Sequence, residues 1–125
     1  MTIGWRFDNT YSKLPESFLS NTSPTPVKSP ELIILNKNLV EELGLNFSNI
    51  NNKNLSLLFS GNSLPEGSKT IAQAYAGHQF GHFTMLGDGR AILIGEHISK
   101  NSERLDIQFK GSGKTPFSRN GDGRA

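Results

Sequence analysis

The sequence predicts an α+β fold, and three observations carry that expectation. Leu32, Leu35, Leu39 and Leu43 recur at three- and four-residue steps, the spacing of one helix face. Residues 90–96, Arg-Ala-Ile-Leu-Ile-Gly-Glu, form an apolar run of strand length, and residues 104–110 alternate cleanly between apolar and polar. Nine of the 13 glycines fall between Gly77 and Gly123, which marks that half as strands joined by glycine turns.

Taken in order, residues 1–29 read as an extended N-terminal arm. Leu14-Pro15, Ser23-Pro24, Thr25-Pro26 and Ser29-Pro30 each push the residue before proline out of the helical region. Trp5, Phe7, Tyr11 and Phe18 supply apolar anchors that lay the arm across the rest of the protein. A helix is expected next, capped by Ser29, with Pro30 in its first position and Gly44 at its end. Residues 46–54 read as a polar loop, Leu55 to Phe59 as a short helix, and 61–67 as a turn. A second helix is expected from near Ser68 through Ile71, Ala72 and Tyr75 to Gly77. The two strand segments then pair as an antiparallel hairpin. Gly87-Asp88-Gly89 opens the first strand and Lys110 ends the second, with Leu105, Ile107 and Phe109 on one face and Asp106, Gln108 and Lys110 on the other.

Composition narrows the function. The 125 residues fit one domain, and 34% hydrophobic content allows only a modest core. No run approaches the ~20 apolar residues of a membrane span, and the start Met1-Thr2-Ile3-Gly4-Trp5-Arg6 lacks the pattern of a secretory signal. Cysteine is absent, which excludes a disulfide framework, thiolate metal sites and a thiol nucleophile. A soluble, cytoplasmic protein is expected, with neither a membrane nor a nucleic acid as partner. The net charge is +2, concentrated at the end of the chain, where Lys110, Lys114, Arg119 and Arg124 face Asp122 alone. A basic, glycine-rich segment with exposed backbone amides suits a phosphate-bearing ligand, although a solvated loop has the same composition.

Several motifs fail on inspection. Gly111-Ser112-Gly113-Lys114-Thr115 has the ending of a phosphate-binding P-loop, but Gln108 stands where its first glycine belongs and Pro116 blocks the following helix. His78 and His82 stand four apart, a possible metal pair on a helix, yet the glutamate of the zinc-protease motif is missing. Asn120-Gly121-Asp122-Gly123 lacks the first acid of a calcium loop. More informative is an exact repeat: Gly87-Asp88-Gly89-Arg90-Ala91 recurs as Gly121-Asp122-Gly123-Arg124-Ala125. Two such turns could set backbone N–H groups and two arginines around one anion. A glycine loop, a strand, then a strand carrying Lys110 is the order of a protein-kinase small lobe, in which loop amides cover nucleotide phosphates and the lysine neutralises them. The kinase pattern G-x-G-x-x-G itself is not met, because the glycine after Gly89 is Gly95.

Residues 75–81 (Tyr-Ala-Gly-His-Gln-Phe-Gly), 86–91 (Leu-Gly-Asp-Gly-Arg-Ala) and 110–125 together closely resemble the selenoprotein O family. Leu14-Pro15 with Phe18, the stretch from Pro24 to Pro30, and Leu43-Gly44-Leu45 extend the resemblance over the whole chain. The resemblance implies a protein-kinase-like fold whose members transfer AMP from ATP to protein hydroxyls of Ser, Thr or Tyr, with the nucleotide flipped relative to a kinase. The expected architecture is then an arm (1–29) followed by an incomplete kinase-like nucleotide-binding small lobe (30–125). By motif, Gly87, Gly89 and Arg90 would contact nucleotide from the first turn, Lys110 would meet the phosphates, and Asp122 with Gly123 would bind from the second turn. The implied catalytic aspartate, the Mg2+ ligands and the large lobe are expected beyond Ala125. On that expectation the 125 residues alone are inactive, and a non-catalytic nucleotide- or phosphate-binding module is the alternative.

Overall fold

The computed structural model describes residues 3–79, 82–87, 89–118 and 121–124; for 75–79 and 82–86 the description is of the backbone. Five strands and two short helices make an α+β arrangement: β1 (Leu19–Asn21), α1 (Lys37–Glu42), α2 (Asn52–Phe59), β2 (Ile71–Gln79), β3 (His82–Gly87), β4 (Ala91–Ile98) and β5 (Arg104–Lys110). The sheet runs β1-β2-β4-β5 and is antiparallel throughout, with β3 paired to β2 off this path.

The hairpin β4–β5 forms as the alternation predicts. Ala91 pairs with Lys110 and Ile98 with Arg104, and Leu105, Ile107 and Phe109 are half-buried while Asp106, Gln108 and Lys110 are exposed. The register shifts between Leu93 and Gly95, so β4 holds one extra residue there, a bulge. Strand β4 is buried on both faces; Ile92, Ile94 and His97 are fully enclosed. Its two-sided burial explains why residues 91–95 are continuously apolar instead of alternating.

Residues 68–77 correct the sequence reading. No helix forms there; Ile71–Gln79 is β2, whose first residues pair with β1 (Asn21↔Ile71, Leu19↔Gln73) and with β4 (Ile71↔Leu93). Its later residues pair with β3, from Gln79↔His82 to Ala74↔Gly87. Helix-like spacing of Ile71 and Tyr75 is outweighed by pairing partners distant in sequence, which local pattern cannot reveal. Consequently His78 and His82 sit on paired strands and not four apart on one helix; their side chains lie outside the described residues.

The first helix is also shorter than expected. Ser29 and Pro30 do not start it, and residues 31–36 form neither helix nor strand. Asn36 starts it instead, its Oδ1 accepting the Leu39 N–H at 3.1 Å. Leu32 and Leu35 still pack against the core from this irregular segment, while the β-branched pair Ile33-Ile34 faces solvent. Gly44 ends α1 as predicted, with Gly44 N–H donating to Glu41 O and Leu45 N–H to Val40 O. The predicted polar loop 46–54 gives up its last residues to α2, because Asn51 caps Asn54 N–H at 2.8 Å. The core lies between the helices and β5: Leu43, Leu45, Phe47, Leu55 and Leu58 pack with Trp5, Leu105 and Ile107.

The arm is built into the sheet. Phe7 pairs with His97, Asp8 N–H donates to Glu96 O at 2.8 Å, and Ile98 N–H to Arg6 O at 2.9 Å. Further along, the arm becomes β1. Trp5, Phe7 and Tyr11 are partly buried as predicted, but Phe18 is exposed and anchors nothing. No helix among the described residues is long and apolar enough to cross a membrane.

Candidate functional site

The β4–β5 register builds the site. Because Ala91 faces Lys110, the residues just outside the hairpin meet as well, and Gly111 N–H donates to Arg90 O at 2.5 Å. Arg90 and Lys110 thus leave neighbouring strand ends. Both are exposed, and among the described residues neither cationic head has a hydrogen-bond or ion-pair partner. Arg104 differs: at the far end of the same strand, its guanidinium is held by Asp8 at 2.6 Å.

Segment 111–118 then folds over the first glycine turn. Ser118 Oγ donates to Gly89 O at 2.5 Å and accepts Thr115 N–H at 2.8 Å. The Phe117 ring lies on Gly87, where an added Cβ would come within 2.4 Å of it. Gly87 is therefore required by close approach, and it sits opposite Ala74, where β3 returns to the sheet. At Gly89 a Cβ would lie 2.9 Å from Phe117 O.

The second turn packs against the other part of the same segment. Gly113 N–H donates to Gly123 O at 3.3 Å, and Gly123 has φ +74 with its Cβ position blocked by Gly113 O. Asp122 is exposed, and its Oδ1 accepts Arg124 N–H at 2.9 Å. The two identical pentapeptides therefore flank the loop 111–118 from Phe117 on one side and Gly113 on the other. Their arginines differ. Arg124 is directed to main-chain carbonyls, Gly111 O at 3.4 Å and Thr25 O at 3.5 Å, whereas Arg90 is left to solvent. The sequence reading assigned no role to Phe117, Ser118 or Thr25, which hold the turns in place; Thr25 N–H also donates to Ser112 O at 2.8 Å. The paired glycines were the available signal, since a G-x-G implies that something approaches closely. Asp88, Arg119, Asn120 and Ala125 lie outside the described residues.

Such an arrangement offers two cations on neighbouring strand ends, free of protein partners among the described residues, next to turn backbone. Cations of this kind stabilise phosphate groups, Arg90 as a planar two-pronged donor and Lys110 as a point charge. Metal binding is another matter. Among the described residues no three His, Asp or Glu side chains come together to hold an ion, and Asp122 stands as a lone carboxylate with one oxygen engaged. The magnesium implied by the resemblance has no ligand set among them.

A family model described as "Protein adenylyltransferase SelO" matches residues 2–125. The chain belongs to that family. Among SelO-family relatives, a "Protein nucleotidyltransferase YdiU" of Pelagibacter ubique (strain HTCC1062) is 71% identical over 125 residues, covering 100% of this chain and 26% of the relative. Proteins of the same description from Nitrosococcus oceani and Geobacillus kaustophilus are 63% and 57% identical over 123 and 125 residues, covering 98% and 100% of this chain and 25% and 26% of their own lengths. The chain spans about a quarter of the length of the curated relatives it matches. SelO membership places it in a nucleotidyl-transfer family; the whole-protein activity is a separate question.

Proposed function

We propose that this chain is the nucleotide-binding part, a kinase-like small lobe, of an enzyme that transfers AMP from ATP to hydroxyl side chains of proteins in the cytoplasm. Gly87, Gly89 and Arg90 hold the nucleotide from the first turn, Lys110 neutralises its phosphates, and Asp122 with Gly123 contacts it from the second. In the transfer, the acceptor hydroxyl gives up its proton, to a base expected beyond Ala125, as its oxygen forms a bond to the α-phosphorus; the bond from that phosphorus to the oxygen bridging to the β-phosphate breaks, and pyrophosphate leaves with that electron pair. The residues of this chain bind and orient the phosphates and stabilise the charge that develops on the leaving group. One observation supports the reading above the others: the β4–β5 register brings Arg90 and Lys110, whose heads have no partner among the described residues, to neighbouring strand ends next to one glycine turn.

A second reading rests on the site itself, whose residues supply phosphate contacts. Arg90, Lys110 and the glycine turns would serve equally a non-catalytic nucleotide- or phosphate-binding module. Calorimetric titration with a non-hydrolysable ATP analogue tests what both readings share: binding is expected, weakened about ten-fold or more by Arg90→Ala or Lys110→Ala. Unchanged affinity in both variants would refute the site. Incubation with labelled ATP, magnesium and a protein acceptor then separates the readings. The chain by itself is expected to transfer no label, and transfer is expected to appear when the remaining polypeptide of the Pelagibacter ubique relative is supplied. Label transfer by the chain alone would overturn the assignment of catalytic groups elsewhere, and failure with the remainder present would favour the module.

A further inference from the structure

Beyond β1 the arm is tied down by two parts of the chain that lie far apart in sequence. Asn62, just after α2, grips Val27 by both of its main-chain groups: Val27 N–H donates to Asn62 Oδ1, and Asn62 Nδ2 donates to Val27 O, each at 2.6 Å. A side-chain amide used in both directions fixes the position and the orientation of the residue it holds. Pro24 closes on the same corner, since a Cβ on Gly61 would run into its ring. Between Pro24 and Val27, Thr25 reaches the loop after β5. Its N–H donates to Ser112 O at 2.8 Å, and a Cβ on Gly113 would run into its Oγ1. Gly113 in turn carries the second glycine turn through its N–H on Gly123 O, and the Arg124 guanidinium reaches both Gly111 O and Thr25 O. The Arg124 N–H then holds the Asp122 carboxylate at 2.9 Å.

Thr25 itself is exposed and contributes little burial, so its contacts fix where a loop sits. We infer, resting on the nucleotide site proposed above, that Asn62 and Thr25 are positioning residues for the second turn. Residues 24–27 form a strap that Asn62 anchors and Thr25 locks onto residues 112–113, and the strap presents Asp122 and Gly123 to the nucleotide in one orientation. Both residues act through Gly113 and Arg124 and make no contact of their own with the ligand. Arg90 and Lys110 take their places from the β4–β5 register instead. The two halves of the site are thus held by different parts of the chain. Loosening the strap weakens what the second turn contributes and leaves the contribution of the two cations in place.

A double-mutant cycle tests it, with affinity for a non-hydrolysable ATP analogue read by calorimetry on the 125-residue chain. Asn62→Ala is expected to weaken binding about five-fold in the wild-type background and in Lys110→Ala, but less than about two-fold in Asp122→Ala, where the oriented carboxylate is already gone. A general loosening of the fold would give the same loss in all three backgrounds and would overturn the inference. Unchanged affinity in Asn62→Ala, with Lys110→Ala still weakening binding, would overturn it and leave the nucleotide site standing. A wild-type chain without affinity would refute the site and the inference together. Amide exchange gives a readout that needs no nucleotide: Asn62→Ala is expected to speed exchange at Thr25, Gly113 and Arg124 about ten-fold while β4 and β5 change little. Unaltered exchange at those three amides would refute the strap. Asn62→Asp keeps the acceptor for Val27 N–H and loses only the donor to Val27 O. Should Asn62→Ala not fold, Asn62→Asp is expected to show the same pattern at smaller amplitude, and the same results would overturn the inference.

Discussion

The arm–β4 junction and the glycine turns treat their polar groups in opposite ways. At the junction His97 is fully buried, and both ring nitrogens are used: Nε2–H donates to Leu43 O at 2.6 Å, and Nδ1 accepts Arg6 N–H at 3.1 Å. Trp5 and Phe7 present ring edges to it at 5.5 and 6.2 Å. Glu96 beside it takes hydrogen bonds from the N–H groups of Thr10 and Tyr11 and from the Thr10 hydroxyl. Trp5 Nε1 is the exception, buried without a partner among the described residues. At the glycine turns the backbone is equally well held, yet Arg90 and Lys110 extend into solvent. One region uses its polar groups to fix the arm. The other fixes its backbone and leaves the charges of Arg90 and Lys110 in solvent.

The largest expected effect falls at the junction. His97→Ala removes a packed ring and leaves the Leu43 carbonyl and the Arg6 N–H without their partner. A cavity together with two unpaired buried groups is expected to cost roughly 3–5 kcal/mol in urea unfolding. Affinity for an ATP analogue, measured where the variant is still folded, is expected to change little. A loss under ~1 kcal/mol would mean that the junction does not hold the arm.

Lys110→Ala is expected to show the reverse pattern in a polypeptide that performs the transfer. Its side chain is exposed, so stability should move by no more than ~0.5 kcal/mol. Loss of a phosphate contact should reduce the transfer rate about 30- to 1000-fold, or roughly 2–4 kcal/mol of transition-state stabilisation. Lys114→Ala is expected to matter less, since Lys114 lies in the loop and not at a strand end. Equal rate losses at the two lysines, or a collapsed melting temperature for Lys110→Ala, would show that the ligand-facing lysine is misassigned.

Much of this contrast is legible in the sequence, but unevenly. The hairpin is readable because both its strands state their pattern locally, β5 by alternation and β4 by an unbroken apolar run, and the position of Lys110 at a strand end follows. Gly44 as a helix end is readable for the same reason. Strand β2 is not, because its short residues Ala72, Ala74 and Gly77 gain their strand geometry from β1, β3 and β4. Nor is the start of α1, where Asn36 outcompetes Ser29-Pro30 and the pair Ile33-Ile34 stays outside the helix. The identical pentapeptides illustrate the limit most directly. Sequence makes Arg90 and Arg124 equivalent, whereas the carbonyls of Thr25 and Gly111 engage the guanidinium of only the second.

The smallest expected effect tests the junction through pH. Burial raises the Glu96 carboxyl, but hydrogen bonds from Thr10 and Tyr11, with Arg104 3.6 Å away, outweigh it and hold the group below its ordinary value. A carboxyl depressed in the folded state stabilises above its unfolded pKa, ~4.3, and that contribution disappears as pH falls through the folded value. Glu96→Gln keeps the shape but loses the charge and one acceptor, so it should cost about 1–2 kcal/mol near neutral pH. The difference between wild type and Glu96→Gln should then narrow once pH drops below ~4, because protonation makes the wild-type group neutral as well. Asp8 is depressed too, by its hydrogen bond to Arg104 and then by that cation's charge, and it remains in both proteins, so the comparison isolates Glu96. Urea unfolding of both proteins from pH 7 to pH 3 measures it. A difference that stays constant over that range would mean the Glu96 charge does not hold the arm, and that packing of Trp5 and Phe7 on His97 does so instead.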